Sequence, residues 1–287
     1  MSKMAASDAT GESPHTVVLY PRTGLSALDV GEVYAYRNLL YLFFWRDIKT
    51  RYKQSYLGVV WIVLSPLVST AIYSVLLGYI ARFPSDGVPY PLYVLVGITA
   101  WQFFSRSLAG VSTSLADQQV LINKIYFPRI LAPMASVLSA AFDFAIMLAL
   151  MLLAMLALGI LPSPRTLLAA VFIAQMALLA LGIGLILTGL DAVVRDVRIV
   201  LNLVLQVWYF ASPVIYPVQI IPAKFITYYY LNPAAPLVQG FRWALLGGSV
   251  PPPPLWSVGL SAGVTVIFLI IGTLFFQKVE RTIVDHL

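Results

Sequence analysis

Long uncharged apolar runs, separated by short polar and proline-rich connections, set the pattern of this chain. Leu57 to Ala81 carries no formal charge and predicts a first membrane span, kinked at Pro66. About 20 apolar residues in a helix suffice to cross roughly 30 Å of hydrocarbon. The turn-rich stretch "RFPSDGVPYP" leads to a second span, Leu92 to Ser114, interrupted by Arg106. After the polar segment "LADQQVLINKIYFPRI", a third span covers Leu131 to Ile160 and holds Asp143. "LPSPR" forms a tight turn before an uncharged fourth span, Thr166 to Leu190, and the polar loop "DAVVRDVR". A fifth apolar stretch starts at Ile199 and is broken by Pro213, Pro217 and Pro222. Residues 214 to 254 are too irregular for a simple span and too aromatic for an aqueous loop, which predicts two short re-entrant helices buried in protein. The last span is Leu255 to Phe276, closed by "QKVERTIVDHL".

The expectation is therefore an all-α polytopic membrane protein of six transmembrane helices. Composition supports the class: 60% of the 287 residues are hydrophobic and 10% charged, against about 25% charged in a soluble domain. Alternating strands of a membrane barrel are absent from the pattern. With no cysteine there are no thiolate nucleophiles or Cys-ligated metals. The net charge of +6 is the usual basic excess of membrane-flanking loops, and no nucleic-acid recognition fold accompanies it. Residues 1–32 lack a continuous apolar core and read as a flexible cytosolic tail, and 278–287 as a second one.

Charge bias gives an orientation. With a cytoplasmic N-terminus, the inside segments hold Lys3, Arg22, Arg37, Arg46, Lys49, Arg51, Lys53, Lys124, Arg129, Arg195, Arg198, Lys278 and Arg281. The outside segments hold Arg82, Arg165, Lys224 and Arg242. This positive-inside excess places both termini in the cytoplasm. Arg106 and Asp143, alone at membrane depth, predict a pair between spans two and three, because such groups face protein, water or each other.

Residues 33 to 56 precede the first span. Leu40, Phe44, Ile48 and Tyr52 share one helical face, and Arg46, Lys49 and Lys53 the opposite one. Such a basic amphipathic helix lies in the membrane interface, aromatics toward acyl chains and cations toward phosphates. The residues alone favour an anchor over a helix that meets an anionic lipid, since juxtamembrane cations are common without specific ligands.

Four stretches together resemble the permease subunit of polysaccharide ABC exporters, the type-2 exporter family that moves O-antigens, capsules and teichoic acids. They are "WRDIKTRYKQSYLGVVWIVLSPL", "INKIYFPRI", "DVRIVLNLVLQVWYFASPVIYP" and "LNPAAPLVQGFRWALLG", in register over residues 36 to 281. The last two are more similar to O-antigen permeases than to capsule permeases. The resemblance implies a homodimer with two copies of a separate cytosolic ABC ATPase, which binds ATP and Mg; this chain has no GxxxxGK[ST] phosphate loop of its own. It implies a bacterial cytoplasmic (inner) membrane location and an undecaprenyl-type lipid-linked glycan as substrate.

Site roles follow from the same resemblance. The amphipathic helix is similar to the family's gate helix, with Arg46, Lys49, Arg51 and Lys53 for the substrate pyrophosphate and Leu57-Gly58 as its hinge. The loop between spans two and three corresponds to a coupling helix, with Asn123, Lys124, Ile125, Tyr126, Phe127 and Arg129 meeting the ATPase. Aromatic faces pack against sugar C–H faces while leaving hydroxyls wet. That makes Trp101, Phe103, Phe104, Trp208, Tyr209, Phe210 and Tyr216 channel-lining candidates, against the general enrichment of Trp and Tyr at bilayer interfaces. The segment "YPVQIIPAKFITYYYLNPAAPLVQGFRW" is similar to the family's periplasmic gate.

Rival functions fare worse on the residues. A membrane-embedded enzyme of lipid-linked sugar metabolism needs converging carboxylates or histidines, but His15 and His286 sit at the termini. An ion-coupled transporter needs intramembrane carboxylates and inverted repeats, and Asp143 stands alone. An exporter of a small lipid or drug with the same architecture remains open.

Overall fold

The computed structural model describes residues 30–53, 58–85, 87–118, 127–161, 163–191, 196–248 and 250–285, and these are helical with short connections. In chain order the α-helices are α1 (Val30–Ala35), α2 (Arg37–Lys53), α3 (Gly58–Tyr73), α4 (Tyr90–Thr113), α5 (Leu131–Ala157), α6 (Thr166–Asp191), α7 (Val197–Phe210), α8 (Ile226–Tyr229), α9 (Ala234–Leu246) and α10 (Leu255–Asp285). A π-helical turn, Ser74–Ile80, extends α3. Pro66 lies within α3.

Five of these helices are long and apolar enough to cross a membrane: α3 with its extension, α4, α5, α6 and α10. Their bounds fall close to the sequence expectation, except that α10 runs on to Asp285, through most of the expected tail. The fifth predicted span is present as a shorter apolar helix. This helix, α7, has 14 residues, about 21 Å at the helical rise and short of the roughly 30 Å hydrocarbon layer. Pro213 and Pro217 account for this, because each lacks an amide donor and excludes helical geometry just before it. The chain turns at Ala211 and continues as short 3-10 and α-helical pieces between 218 and 229. Then α9 runs back into the bundle against α4 and α6.

The bundle is organised around α4. It packs on α3, α5, α6, α7 and α9, and 72% of its apolar window is buried, against 17% for the α3 and α10 spans. It is also the least apolar of the five, with a mean hydropathy of 1.2 against 2.0 to 2.5 for the others. This ordering reflects a lipid solvent. Peripheral helices present Leu, Ile and Val to hydrocarbon, and polar side chains gather where protein can partner them.

Arg242, counted among the outside cations and lying in the expected re-entrant region, is fully buried on α9. Its Nη2 donates to the Val214 carbonyl (2.7 Å), Nη1 to the Tyr93 hydroxyl (3.1 Å) and Nε to the Tyr93 carbonyl (3.3 Å). The guanidinium also stacks 4.0 Å from the Tyr93 ring centroid, a cation–π contact that strengthens when desolvated. One side chain thus ties α9, the 211–217 turn and α4 together. Removing Arg242 from the outside count leaves the positive-inside bias intact.

Gly97 makes that junction possible. A Cβ there would meet the Val214 carbonyl oxygen and the Arg242 guanidinium. Gly97→Ala is expected to destabilise the fold by roughly 2 kcal/mol through overpacking, read as a fall of several degrees in the Tm of the purified protein. Gly259→Ala, with nothing within 4 Å of a Cβ, should leave Tm unchanged.

Candidate functional site

A groove of about 430 Å³ opens along the side of the bundle between α3, α4 and α7. Tyr73 contributes from α3; Trp101, Ser105, Arg106 and Ala109 from α4; and Asn202, Leu205, Gln206, Tyr209 and Phe210 from α7. On α4 the lining positions 101, 105, 106 and 109 step by four, one and three, which keeps them along one side of the helix. Tyr209 is central: its ring lies 5.9 Å from Trp101 and 6.2 Å from Tyr73, centroid to centroid. The lining is thus aromatic planes interleaved with amides, a hydroxyl and one guanidinium. Such a surface can hold a polyhydroxylated chain at many weak contacts without a fixed pocket.

Not all of the expected lining aromatics reach the groove. Trp101, Tyr209 and Phe210 line the groove. Phe103 and Phe104 point into the core instead, 3% and 1% exposed. Phe103 packs on Phe144 (5.2 Å) and Phe104 on Trp208 (5.2 Å). Phe103 lies about 200° round the helix from Trp101, whereas Phe104, on the same side as Trp101 and 5.4 Å from it ring to ring, is covered by Trp208. Trp208 is a strut: its Nε1 donates to Asn232 Oδ1 at 2.7 Å. Tyr216 donates to the Phe210 carbonyl (2.7 Å) and accepts from the Tyr229 hydroxyl (3.2 Å), closing the turn after α7.

Asn202 and Gln206 were missed in the sequence. Their signal is an i, i+4 amide pair in the otherwise apolar "VRIVLNLVLQVWYF".

The proline-rich end is closed by α9 and its neighbours. Asn232 donates to the Ala211 carbonyl (3.0 Å) and to Ser212 Oγ (2.9 Å), and accepts from the Ala234 amide (3.0 Å). Gln239 Nε2 donates to the Pro251 carbonyl (2.9 Å). Asn232, Gln239 and Arg242 thus spend donors on the Ala211, Pro251 and Val214 carbonyls of the irregular turns, and Arg242 also reaches the Tyr93 carbonyl within α4.

At the other end, Arg106 and Asp143 pair as the sequence predicted, Nη1 to Oδ2 at 3.1 Å. Two further groups join them. Arg51 Nη1 reaches the same Oδ2 at 3.2 Å, and the Tyr52 hydroxyl donates to Oδ1 at 2.5 Å. Burial, then the hydrogen bond to Asp143, push the Tyr52 phenol pKa up, so it stays a neutral donor. The face of α2 expected to meet acyl chains is turned onto protein: Ile48 is buried, Leu40, Phe44 and Tyr52 are half-buried, the adjoining Phe43 is buried as well, and α2 packs along α5. The contact extends from Phe127, 5.2 Å from Phe43 ring to ring, to Asp143, about twelve residues or roughly 18 Å along α5. Arg46 pairs with the adjacent Asp47 (2.8 Å), Lys49 is exposed, and Lys53 ends α2. Gly58 is the first residue of α3, and Leu57 lies outside the described residues.

The family model for the ABC-2 type transporter matches residues 38–246, which contain the groove, the charge cluster and α9. The chain belongs to the ABC-2 type transporter family. It is 31% identical over 193 residues to the O-antigen export system permease protein RfbA of Myxococcus xanthus, covering 67% of this chain and 73% of that protein. A permease of the same name from Klebsiella pneumoniae is 25% identical over 236 residues, covering 82% and 89% of the two chains. The polysialic acid transport protein KpsM of Escherichia coli is 26% identical over 243 residues, covering 83% and 92%.

An ABC-2 permease is a multi-pass membrane subunit, not an enzyme, and its family implies an ATPase partner. Of the residues expected to meet that ATPase, Asn123, Lys124, Ile125 and Tyr126 lie outside the described residues. Phe127 is 3% exposed beneath α2, which removes it from a docking surface and makes it the link between the 117–129 loop and α2. Arg129 is partly exposed at the start of α5.

The permease has no native cysteine, so single cysteines report the groove directly. Asn202→Cys and Gln206→Cys should react with a charged, membrane-impermeant thiol reagent in the assembled transporter. Phe104→Cys, in the core, should not react. Equal labelling at all three positions would remove the groove as an aqueous path.

Proposed function

We propose that this ABC-2 permease exports a lipid-linked polysaccharide of O-antigen type across a bacterial cytoplasmic membrane. It acts as a homodimer with two copies of a cytosolic ATPase that binds ATP and Mg. The observation that carries this reading is the side groove, where Trp101, Tyr73 and Tyr209 alternate with Asn202, Gln206 and Ser105. A polymer must be gripped weakly and repeatedly to slide, and aromatic planes with amides meet that requirement. The names of the relatives support the substrate class.

The groove is open along one side. The α7 face beside it exposes Ile199, Leu203, Val207 and Phe210 at 72%, 63%, 62% and 51%. A second copy of the permease placed there turns two half-grooves into an enclosed channel and covers an apolar face beside a polar path. In this reading both termini are cytoplasmic and the α9 hairpin caps the channel on the periplasmic side. Arg46, Lys49, Arg51 and Lys53 on α2 meet the pyrophosphate of an undecaprenyl-type carrier. The 117–129 loop seats in the ATPase, and through Phe127 its movement is transmitted to α2.

Reconstitution tests the proposal. Proteoliposomes holding the permease and its ATPase should move fluorescent lipid-linked glycan only with ATP. Tyr209→Ala should slow that movement about tenfold or more while leaving complex yield unchanged, the loss of one stacking contact of about 1 to 3 kcal/mol by analogy with aromatic platforms. Movement of a short-chain lipid or drug in place of the glycan would assign the permease to small-molecule export.

A further inference from the structure

Two guanidinium groups converge on one carboxylate at the basic end of the groove, and the arrangement is unbalanced. Arg51 and Arg106 both donate to Asp143 Oδ2, at 3.2 and 3.1 Å, while Tyr52 occupies Oδ1. Asp143 is saturated and 5% exposed. The arginines are neither: their side chains are 42% and 34% exposed. Each guanidinium carries five N–H donors and, among the described residues, spends one of them here. The cluster carries a net charge of +1 in a region of low dielectric, where an unbalanced charge is costly.

The surplus cation is identifiable. Arg106 sits on the central helix, lines the groove and forms a neutral pair with Asp143. Arg51 is the more exposed of the two and comes from a separate element, 92 residues away in sequence. It stands two residues before the end of α2, which packs along α5. Its carboxylate partner is already shared, so its hold on Asp143 is weaker than that of an exclusive pair. A phosphate oxygen offers the same acceptor chemistry with more charge and bidentate geometry.

We infer that Asp143 is a resident counter-ion that competes with a phosphate-bearing group for Arg51 and so sets how tightly that group is held. At rest the carboxylate parks Arg51 at the mouth of the groove. A phosphate arriving along α2 takes Arg51 over, while Arg106 and Tyr52 keep Asp143 satisfied and spare it the cost of a buried unpaired charge. Release of the phosphate returns Arg51 to Asp143, which gives the site a built-in means of letting go. Asp143 is in this sense a positioning residue. The inference rests on the anionic-lipid reading of the previous section.

The test uses the permease–ATPase complex in nanodiscs and two probes: polyprenyl pyrophosphate in the bilayer and inorganic pyrophosphate in solution. Asp143→Asn should tighten binding about tenfold, and the double variant Asp143→Asn/Arg51→Gln should lose the gain. A gain confined to the lipid probe identifies a membrane headgroup as the ligand; a gain with both probes identifies the phosphate itself, from either source. Weaker or unchanged binding in Asp143→Asn overturns the inference, as does a gain that survives loss of Arg51. Should Asp143→Asn fail to assemble, Arg106→Gln decides, because it leaves Asp143 to hold Arg51 alone. Binding should then weaken severalfold with Lys224→Gln as an unaffected control, and unchanged binding overturns the inference. Export of glycan by the wild-type complex is scored separately, so its absence counts against the transport reading and not against the counter-ion.

Discussion

A polar group below the membrane surface must find its partner inside the protein, and that constraint accounts for how this chain is arranged. The least apolar of the five spans, α4, is placed at the centre and surrounded by α3, α5, α6, α7 and α9. Its two ends are then fixed by arginine chemistry of opposite kinds. Toward the proline-rich end, Arg242 supplies donors to backbone carbonyls and stacks on Tyr93 with no carboxylate bonded to it among the described residues. Toward the basic end, Arg106 shares a carboxylate with an arginine from outside the spans. The groove runs along α4 past Arg106, between α3 and α7.

The same constraint explains the unusual stretch after α7. A helix of 14 residues followed by prolines leaves carbonyls exposed at membrane depth. Those of Ala211 and Val214 are reclaimed by Asn232 and Arg242. The irregular backbone is therefore held closed by specific hydrogen bonds, each breakable, rather than by a continuous apolar seam. A segment that has to open for a polymer and reseal against ions benefits from this construction.

Much of the fold was legible in the sequence because span length and charge bias are one-dimensional signals. The pair Arg106–Asp143 was legible too, since two isolated charges in hydrocarbon have few other choices. What periodicity could not supply was long-range placement. Nothing in the local pattern around Arg51 points to a residue 92 positions later, and the expected re-entrant region did not reveal that Arg242 bonds to Tyr93 and Val214. The aromatic candidates show the same limit at finer scale. Trp101 and Phe104 are three residues apart, in ring contact and equally suited to sugar packing, yet only Trp101, itself largely buried, also borders the groove. The interfacial helix was recognised by its face, but sequence gave no reason to expect that face to rest on α5 instead of lipid.

The central claim is that the groove beside α4 carries the glycan. It is tested most directly by replacing Gln206 with a photo-crosslinking amino acid in the reconstituted permease–ATPase complex and irradiating during export of labelled lipid-linked glycan. The account predicts a covalent permease–glycan adduct that forms with ATP and is lost when ATP hydrolysis is blocked before loading. Efficient export with no adduct at position 206, and adducts instead from a lipid-facing position such as Leu260, would contradict it.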